Sequence, residues 1–284
     1  MDGMILVKKE KGMTSHDVVN RLRRILGMRK IGHSGTLDPN VDGVLCIFLG
    51  NATKAMRFME DKSKQYHGVM KFGSETTTED SDGEVVHSCM VELPLHEDKL
   101  REIFASMLGK SLQQPPMVSS VKVNGRKLYE YFREGIEVER PVREIEITNF
   151  ELVSIDGDEV EFIVDCSQGT YVRTICVDVA RKYGTLGHMK QLTRTRVGCF
   201  KLEDCSTLEQ VAKGEYRLFS VTEALSGMPC VYVDEVMKKK LLNGKSLYFK
   251  NCKDDLVLVR DDQEALAVYI RQEGDLYKCE RGLW

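Results

Sequence analysis

The stretch Gly32-His33-Ser34-Gly35-Thr36-Leu37-Asp38-Pro39-Asn40-Val41-Asp42-Gly43-Val44-Leu45 decides the reading of the chain. Glycines and a proline surround Asp38, and an apolar run to Leu49 follows. Glycine permits left-handed backbone and close approach of another group. A residue before proline is pushed towards extended geometry. Asp38 is therefore a carboxylate on stiff backbone at the lip of a buried strand. A turn aspartate bonded to its own backbone is one reading of it, and a reactive group is the other. Asp38-x-Asn40-x-Asp42-Gly43 also matches the first half of a calcium loop. The twelfth position, which needs a bidentate Glu, falls on Leu49 inside the apolar run, so that reading is disfavoured. Residues 32–35 lack the Lys-Ser/Thr pair of a phosphate loop.

Outward from this stretch the pattern is mixed. Residues 3–9 read as a strand. Thr14 and Ser15 offer an N-cap to a helix with Val18, Val19, Leu22, Ile25 and Leu26 on one face and Gly27 as its stop. Tyr66, Gly68, Met70 and Phe72 alternate as a strand does. Residues 74–83 form a polar turn. Leu100, Ile103, Phe104, Met107 and Leu108 make an amphipathic helix, and Pro115-Pro116 opens a loop. Asn124-Gly125 marks a hairpin. Residues 144–153 and 159–165 read as strands, and Tyr171 to Tyr183 as a helix closed by Gly184. Beyond about residue 222, short apolar runs separated by Asn-Gly, Asp-Asp and Glu-Gly-Asp predict a small all-β domain.

Composition bounds the class. The 284 residues are 42% hydrophobic and 30% charged, which fits a folded globular chain. No run approaches the roughly 20 apolar residues of a membrane helix. Nine cysteines, an odd number with no C-x-x-C, fit neither a disulfide framework nor a zinc knuckle. A reduced, cytoplasmic protein is expected. The net charge of −3 conceals polarity: residues 8–30 hold eight Lys/Arg against two acids, and residues 181–201 hold six and no acid. Such segments are either solvated faces or a nucleic-acid footprint.

Longer motifs carry a resemblance. Lys11-Gly12-Met13-Thr14-Ser15-His16-Asp17 leads into the Asp38 stretch. Lys64-Gln65-Tyr66 precedes Thr76-Thr77-Thr78-Glu79-Asp80-Ser81-Asp82-Gly83. Then come Gln114-Pro115-Pro116-Met117-Val118-Ser119-Ser120-Val121-Lys122 with Asn124-Gly125-Arg126-Lys127-Leu128-Tyr129-Glu130, Cys166-Ser167-Gln168-Gly169-Thr170-Tyr171-Val172-Arg173-Thr174, and Leu192-Thr193-Arg194-Thr195. In order and spacing these resemble the TruB family of tRNA pseudouridine synthases, bacterial stand-alone type, from the N-terminus to about residue 222.

The resemblance implies an α+β fold with a mixed, largely antiparallel central sheet flanked by helices. It implies a catalytic domain over residues 1–222, an RNA-clamping insertion at about 113–143, and a PUA-like domain over 223–284. It implies conversion of the T-arm uridine at position 55 of tRNA to pseudouridine, without metal or cofactor, by a monomer needing no protein partner. Asp38 would be the nucleophile, a role carboxylates play in glycosyl chemistry. Arg173 would pair with it, because guanidinium binds carboxylate bidentately. Tyr66 would stack on the base, a gain of about 1–3 kcal/mol, although a strand tyrosine is commonly core packing. Tyr171 and Leu192 would line the uracil pocket and His33 would touch the RNA. Arg21, Arg24, Lys30, Lys122, Arg126, Lys190, Arg194 and Arg196 would contact RNA, mostly at phosphates.

The chain departs from the family pattern at Val41, Asp42, Val118, Ser120 and Thr193, around the implied catalytic groups. Asp42 is expected to face away from the pocket. An RNA chaperone without catalysis and a guide-RNA-directed synthase are the alternatives.

Overall fold

Lys9 ends strand β1 (Gly3–Lys9), whose side chains are buried on both faces apart from Lys8. The computed structural model describes residues 1–59, 61–250 and 252–284. They fall into two units: residues 1–39, 43–62 and 199–284 form the first, and residues 40–42 and 63–198 the second.

In the first unit, α1 (Ser15–Ile25) starts where Thr14 accepts from Asp17 N, and the Asp17 carboxylate accepts from Thr14 N in return. That capping box satisfies two helix-end donors. Strands β2 (Ile31–Ser34) and β3 (Asp42–Leu49) follow, each pairing antiparallel: β1 with β3, Gly3 opposite Leu49, and β2 with β3, Ile31 opposite Leu49. The buried stripe Val18, Val19 and Leu22 packs on Ile5, Val7, Leu45, Ile47 and Leu49.

The second unit runs through β4 (Lys64–Phe72), β5 (Ser74–Thr76), β6 (Val85–Ser88), α2 (Glu97–Ser106), β7 (Gly109–Gln113), the hairpin β8 (Lys122–Val123) and β9 (Arg126–Lys127), α3 (Leu128–Arg133), β10 (Arg143–Asp156), β11 (Glu159–Cys166), α4 (Val172–Tyr183) and β12 (Gly187–Val197). Its sheet has the antiparallel order β12-β4-β11-β10-β7. Phe104 of α2 stacks on Phe150 of β10 at 3.8 Å between ring centroids, and Tyr183 of α4 lies 5.3 Å from Phe72 of β4. The expected polar turn at 74–83 holds a short strand, β5, paired with β6. Strand β12 escapes the two-residue alternation because its register shifts twice against β4, between Met189 and Gln191 and between Arg194 and Arg196.

Residues 199–284 return to the first unit with β13 (Phe200–Lys201), α5 (Leu208–Ala212) and α6 (Val221–Ala224). Met4 and Phe219 exchange two backbone hydrogen bonds of 2.8 Å each. The last segment holds β14 (Cys230–Tyr232), α7 (Glu235–Leu242), β15 (Leu247–Tyr248), β16 (Leu256–Arg260), β17 (Ala265–Arg271) and β18 (Leu276–Gly282), with sheet order β14-β16-β17-β18-β15. The pair β14–β16 is parallel and the others are antiparallel. Tyr269, Tyr277, Val257, Val259 and Leu241 are fully buried in its core. The all-β expectation needs α7 added, a helix capped by Asp234 that buries little besides Leu241 and so leaves a weak apolar stripe in the sequence. All nine cysteines are free thiols. Among the described residues, no helix is long and apolar enough to cross a membrane.

Candidate active site

Asp38, half-buried, sits between two anchored residues of the first unit. Ser15, 1% exposed at the start of α1, accepts from Leu37 N at 2.9 Å and donates to Leu37 O at 3.3 Å. Lys9 is 0% exposed at the end of β1, and its Nζ donates to Glu10 O at 2.9 Å, Met13 O at 2.7 Å and Pro39 O at 2.9 Å. An ammonium has three protons, and three carbonyls meet them, which offsets the cost of burying the charge. Gly12 N adds a 3.0 Å bond to Pro39 O. The backbone is thus fixed on both sides of the carboxylate. His33, half-buried, lies on β2 opposite Ile47.

A second group of expected site residues gathers in the second unit. Tyr66, 7% exposed on β4, lies opposite Val164 on one side and Arg194 on the other. Leu192, 5% exposed, registers opposite Gly68. A side chain on Gly68 would meet Phe162 and Leu192 at 2.7 and 2.8 Å, so only glycine lets Leu192 sit this deep. Tyr171 caps α4, and Gln113 grips its backbone from the end of β7: Gln113 Oε1 accepts from Tyr171 N at 2.8 Å and Gln113 Nε2 donates to Tyr171 O at 3.0 Å.

Arg173, in the first turn of α4, is 3% exposed. It donates from Nη1 to Thr78 O at 2.7 Å and from Nη2 to Val118 O at 2.8 Å, and it lies 3.5 Å from Asp80 Oδ2. One guanidinium therefore engages both the Thr-rich turn and the insertion. Beside it Thr174 donates to Glu79 Oε2 at 2.7 Å. Burial is the largest influence on Glu79 and pushes its carboxyl above the usual range, against the Thr174 bond and the Arg173 charge. Burial also raises Asp178 on α4. The sequence departures Asp42 and Thr193 meet directly, Thr193 Oγ1 donating to Asp42 Oδ1 at 2.6 Å.

The expected RNA-contacting cations divide. Arg21, Arg24, Lys30 and Lys122 are exposed. Arg126 is tied to Glu134 and lies over the Tyr131 ring. Lys190 is paired with Glu159, and Arg196 with Asp165. Arg194 requires a correction: at 0% exposure it is a core group, not a surface phosphate contact, because its position on the bulged β12 points it inward beside Tyr66. Sequence reasoning missed Lys9, Ser15, Gln113 and Glu79. The motif runs contain Ser15 and Glu79 and adjoin Gln113, and Lys9 lies just upstream of the first run, but their partners are backbone groups or residues remote in the chain. Among the described residues, no cluster of three or more His, Cys, Asp or Glu is arranged to hold a metal ion.

This architecture has known counterparts. A chain in the crystal structure of a Cbf5–Nop10–Gar1 complex superposes with a TM-score of 0.75 over 99% of this chain and 85% of that one, at 24% identity, so the two chains share a fold. The family model described as TruB family pseudouridylate synthase (N-terminal domain) matches residues 23–172, and that for the tRNA pseudouridylate synthase B C-terminal domain matches residues 173–229. The tRNA pseudouridine synthase B of Geobacillus thermodenitrificans (strain NG80-2) is 42% identical over 95% of each chain. That of Bacillus anthracis is 46% identical over 88% of this chain and 85% of its own. The chain belongs to the TruB family of pseudouridylate synthases.

Proposed function

We propose that the chain is a stand-alone tRNA pseudouridine synthase that isomerises the T-arm uridine 55. In this reaction the N1–C1′ bond of the uridine breaks and a C5–C1′ bond forms. C5 loses a proton and N1 gains one, so the reaction is a net isomerisation without redox change. Asp38 is the nucleophile in this reading, with Arg173 as its cationic partner. The observation that carries it is the seating of Asp38: buried Ser15 and Lys9 fix the residues on either side of a half-buried carboxylate. A nucleophile held this way approaches its target with little reorganisation.

The target uridine lies in a folded RNA loop, so it must be flipped out, at a cost of a few kcal/mol. Tyr66 offers an aromatic face for stacking, Tyr171 and Leu192 line the uracil pocket, and His33 touches the RNA. Exposed Arg21, Arg24, Lys30 and Lys122 meet phosphates, so affinity falls steeply with salt. Residues 113–143 act as the RNA clamp. In this reading residues 1–222 form the catalytic domain and residues 223–284 a PUA-like domain. The enzyme works in the cytoplasm as a monomer and takes no metal or cofactor.

The test is to incubate the purified chain alone with a tRNA transcript and map the modified nucleotide. Pseudouridine at position 55 supports the reading. Modification that appears only after a guide RNA or a protein partner is added would replace it with the guide-directed alternative.

A further inference from the structure

Residues 76–83 make a tight turn that several independent contacts hold in place. Met189 N donates to Glu79 O at 3.0 Å, and Ser81 N to Met189 O at 3.0 Å, so the turn adds a short stretch of ladder to β12. Arg173 takes the Thr78 carbonyl and faces the Asp80 carboxylate. Glu79 stands between these two Arg173 partners in the chain, with φ +63°. A non-glycine residue rarely adopts that conformation, and holding one there costs on the order of 1 kcal/mol or more. Asn or Gly is the usual solution. Here the side chain is a glutamate, half-buried, with its carboxylate on Thr174 Oγ1, one residue beyond Arg173. Two adjacent residues of α4 thus grip three consecutive residues of the turn.

We propose that Glu79 is a positioning residue for Arg173: its carboxylate, anchored on Thr174, holds the left-handed turn so that the Thr78 carbonyl and the Asp80 carboxylate reach the guanidinium together. The inference rests on Arg173 belonging to the catalytic machinery. Without the Glu79–Thr174 bond the turn keeps its backbone pairing to β12 but loses the tie to α4 next to the arginine. Arg173 then samples more than one orientation, and turnover falls while RNA affinity, which surface cations set, does not. The charged and titratable groups around Glu79 are Arg173, Cys176 and Asp178 of α4 and Arg140 of the insertion. Arg173 and Arg140 favour its ionised form, and Asp178 opposes it.

Three variants separate the side chain from the backbone. Glu79→Gly removes the carboxylate and relieves the left-handed strain. Thr174→Val removes the donor and keeps the helix. Glu79→Gln keeps an acceptor at the same reach. Pseudouridine formation under single turnover should fall about tenfold in Glu79→Gly and in Thr174→Val, the size of one hydrogen bond of moderate strength. The Michaelis constant should stay within about twofold, and Glu79→Gln should recover most of the rate. The double variant Glu79→Gly/Thr174→Val should be no slower than either single one, because both remove the same bond. Amide hydrogen exchange of residues 76–83 gives a readout independent of turnover: protection should drop in the first two variants and persist in Glu79→Gln. Unchanged exchange in Glu79→Gly, or a double variant whose losses multiply, would overturn the inference. A wild-type chain inactive on tRNA would instead overturn the reading of the site and leave the exchange result to decide the role of Glu79 in the turn.

Discussion

The turn that carries Asp38 and the turn that meets Arg173 are held in opposite ways. In the first unit, groups outside the turn reach in to its backbone: a serine hydroxyl on Leu37 and an ammonium on Pro39. Both groups bind backbone, on either side of Asp38. In the second unit the charged side chain of Arg173 is itself the fixing group, shared among Thr78, Val118 and Asp80. One turn presents a carboxylate on a rigid frame, whereas the other adjusts a cation by adjusting the frame around it. The first arrangement suits a nucleophile that must keep one position. The second lets changes in the insertion or the Thr-rich turn reach the arginine.

Breaking the first turn should have the largest effect. Lys9→Met leaves the Glu10, Met13 and Pro39 carbonyls without their buried donor, and each hydrogen bond to a charged group contributes about 1.5–3 kcal/mol. We expect a loss of several kcal/mol in denaturant unfolding, about 3 or more, with pseudouridine formation lost in parallel. Ser15→Ala should act more locally. It removes the two contacts with Leu37, costs about 1–2 kcal/mol, and lowers turnover without altering hydrogen exchange in residues 76–83. If Ser15→Ala loosened both turns equally, the contrast between them would fail.

A smaller effect is expected on the second turn. Burial raises the Glu79 carboxyl in the folded state, so the unfolded chain releases its proton first as pH rises. Stability then declines between the ordinary carboxylate value of 4.5 and the raised one. Glu79→Gln should remove that decline, making the variant's stability flatter across this window in a pH series of unfolding curves. A steeper decline in the variant would contradict the assignment. The smallest effect lies in the C-terminal sheet. The Lys238 ammonium bonded to Asp261 holds its carboxyl down at about 2. That contribution is complete above the ordinary value of 3.8 and fades as pH falls towards 2. Lys238→Ala should therefore lower stability slightly at neutral pH, and its difference from wild type should shrink as pH falls from 3.8 towards 2 in a pH series of unfolding curves.

Much of this contrast could be read before the fold was known, and the unread part has a common cause. The strand of residues 3–9, the capping box at Thr14 and the helix closed by Gly184 follow from periodicity and end signals, because local sequence determines them. Strand β12 did not follow, because its two bulges break alternation. The stiff setting of Asp38 was legible from glycine and proline chemistry, but Lys9 and Ser15 were not, because a lysine at the end of a strand gives no sign that three carbonyls from later residues will surround it. Arg194 misled for the same reason: its neighbours in sequence are basic and exposed in pattern, whereas its register opposite Tyr66 buries it.

The central claim is that the Asp38 carboxylate performs the chemistry while other groups bind the RNA. It is tested most directly by comparing wild type and Asp38→Asn on the same tRNA transcript, measuring single-turnover pseudouridine formation and binding together. We predict a loss of at least about a thousandfold in rate, as for removal of a nucleophile, with affinity within about threefold. Pseudouridine formed by Asp38→Asn at a rate near that of wild type would contradict the account.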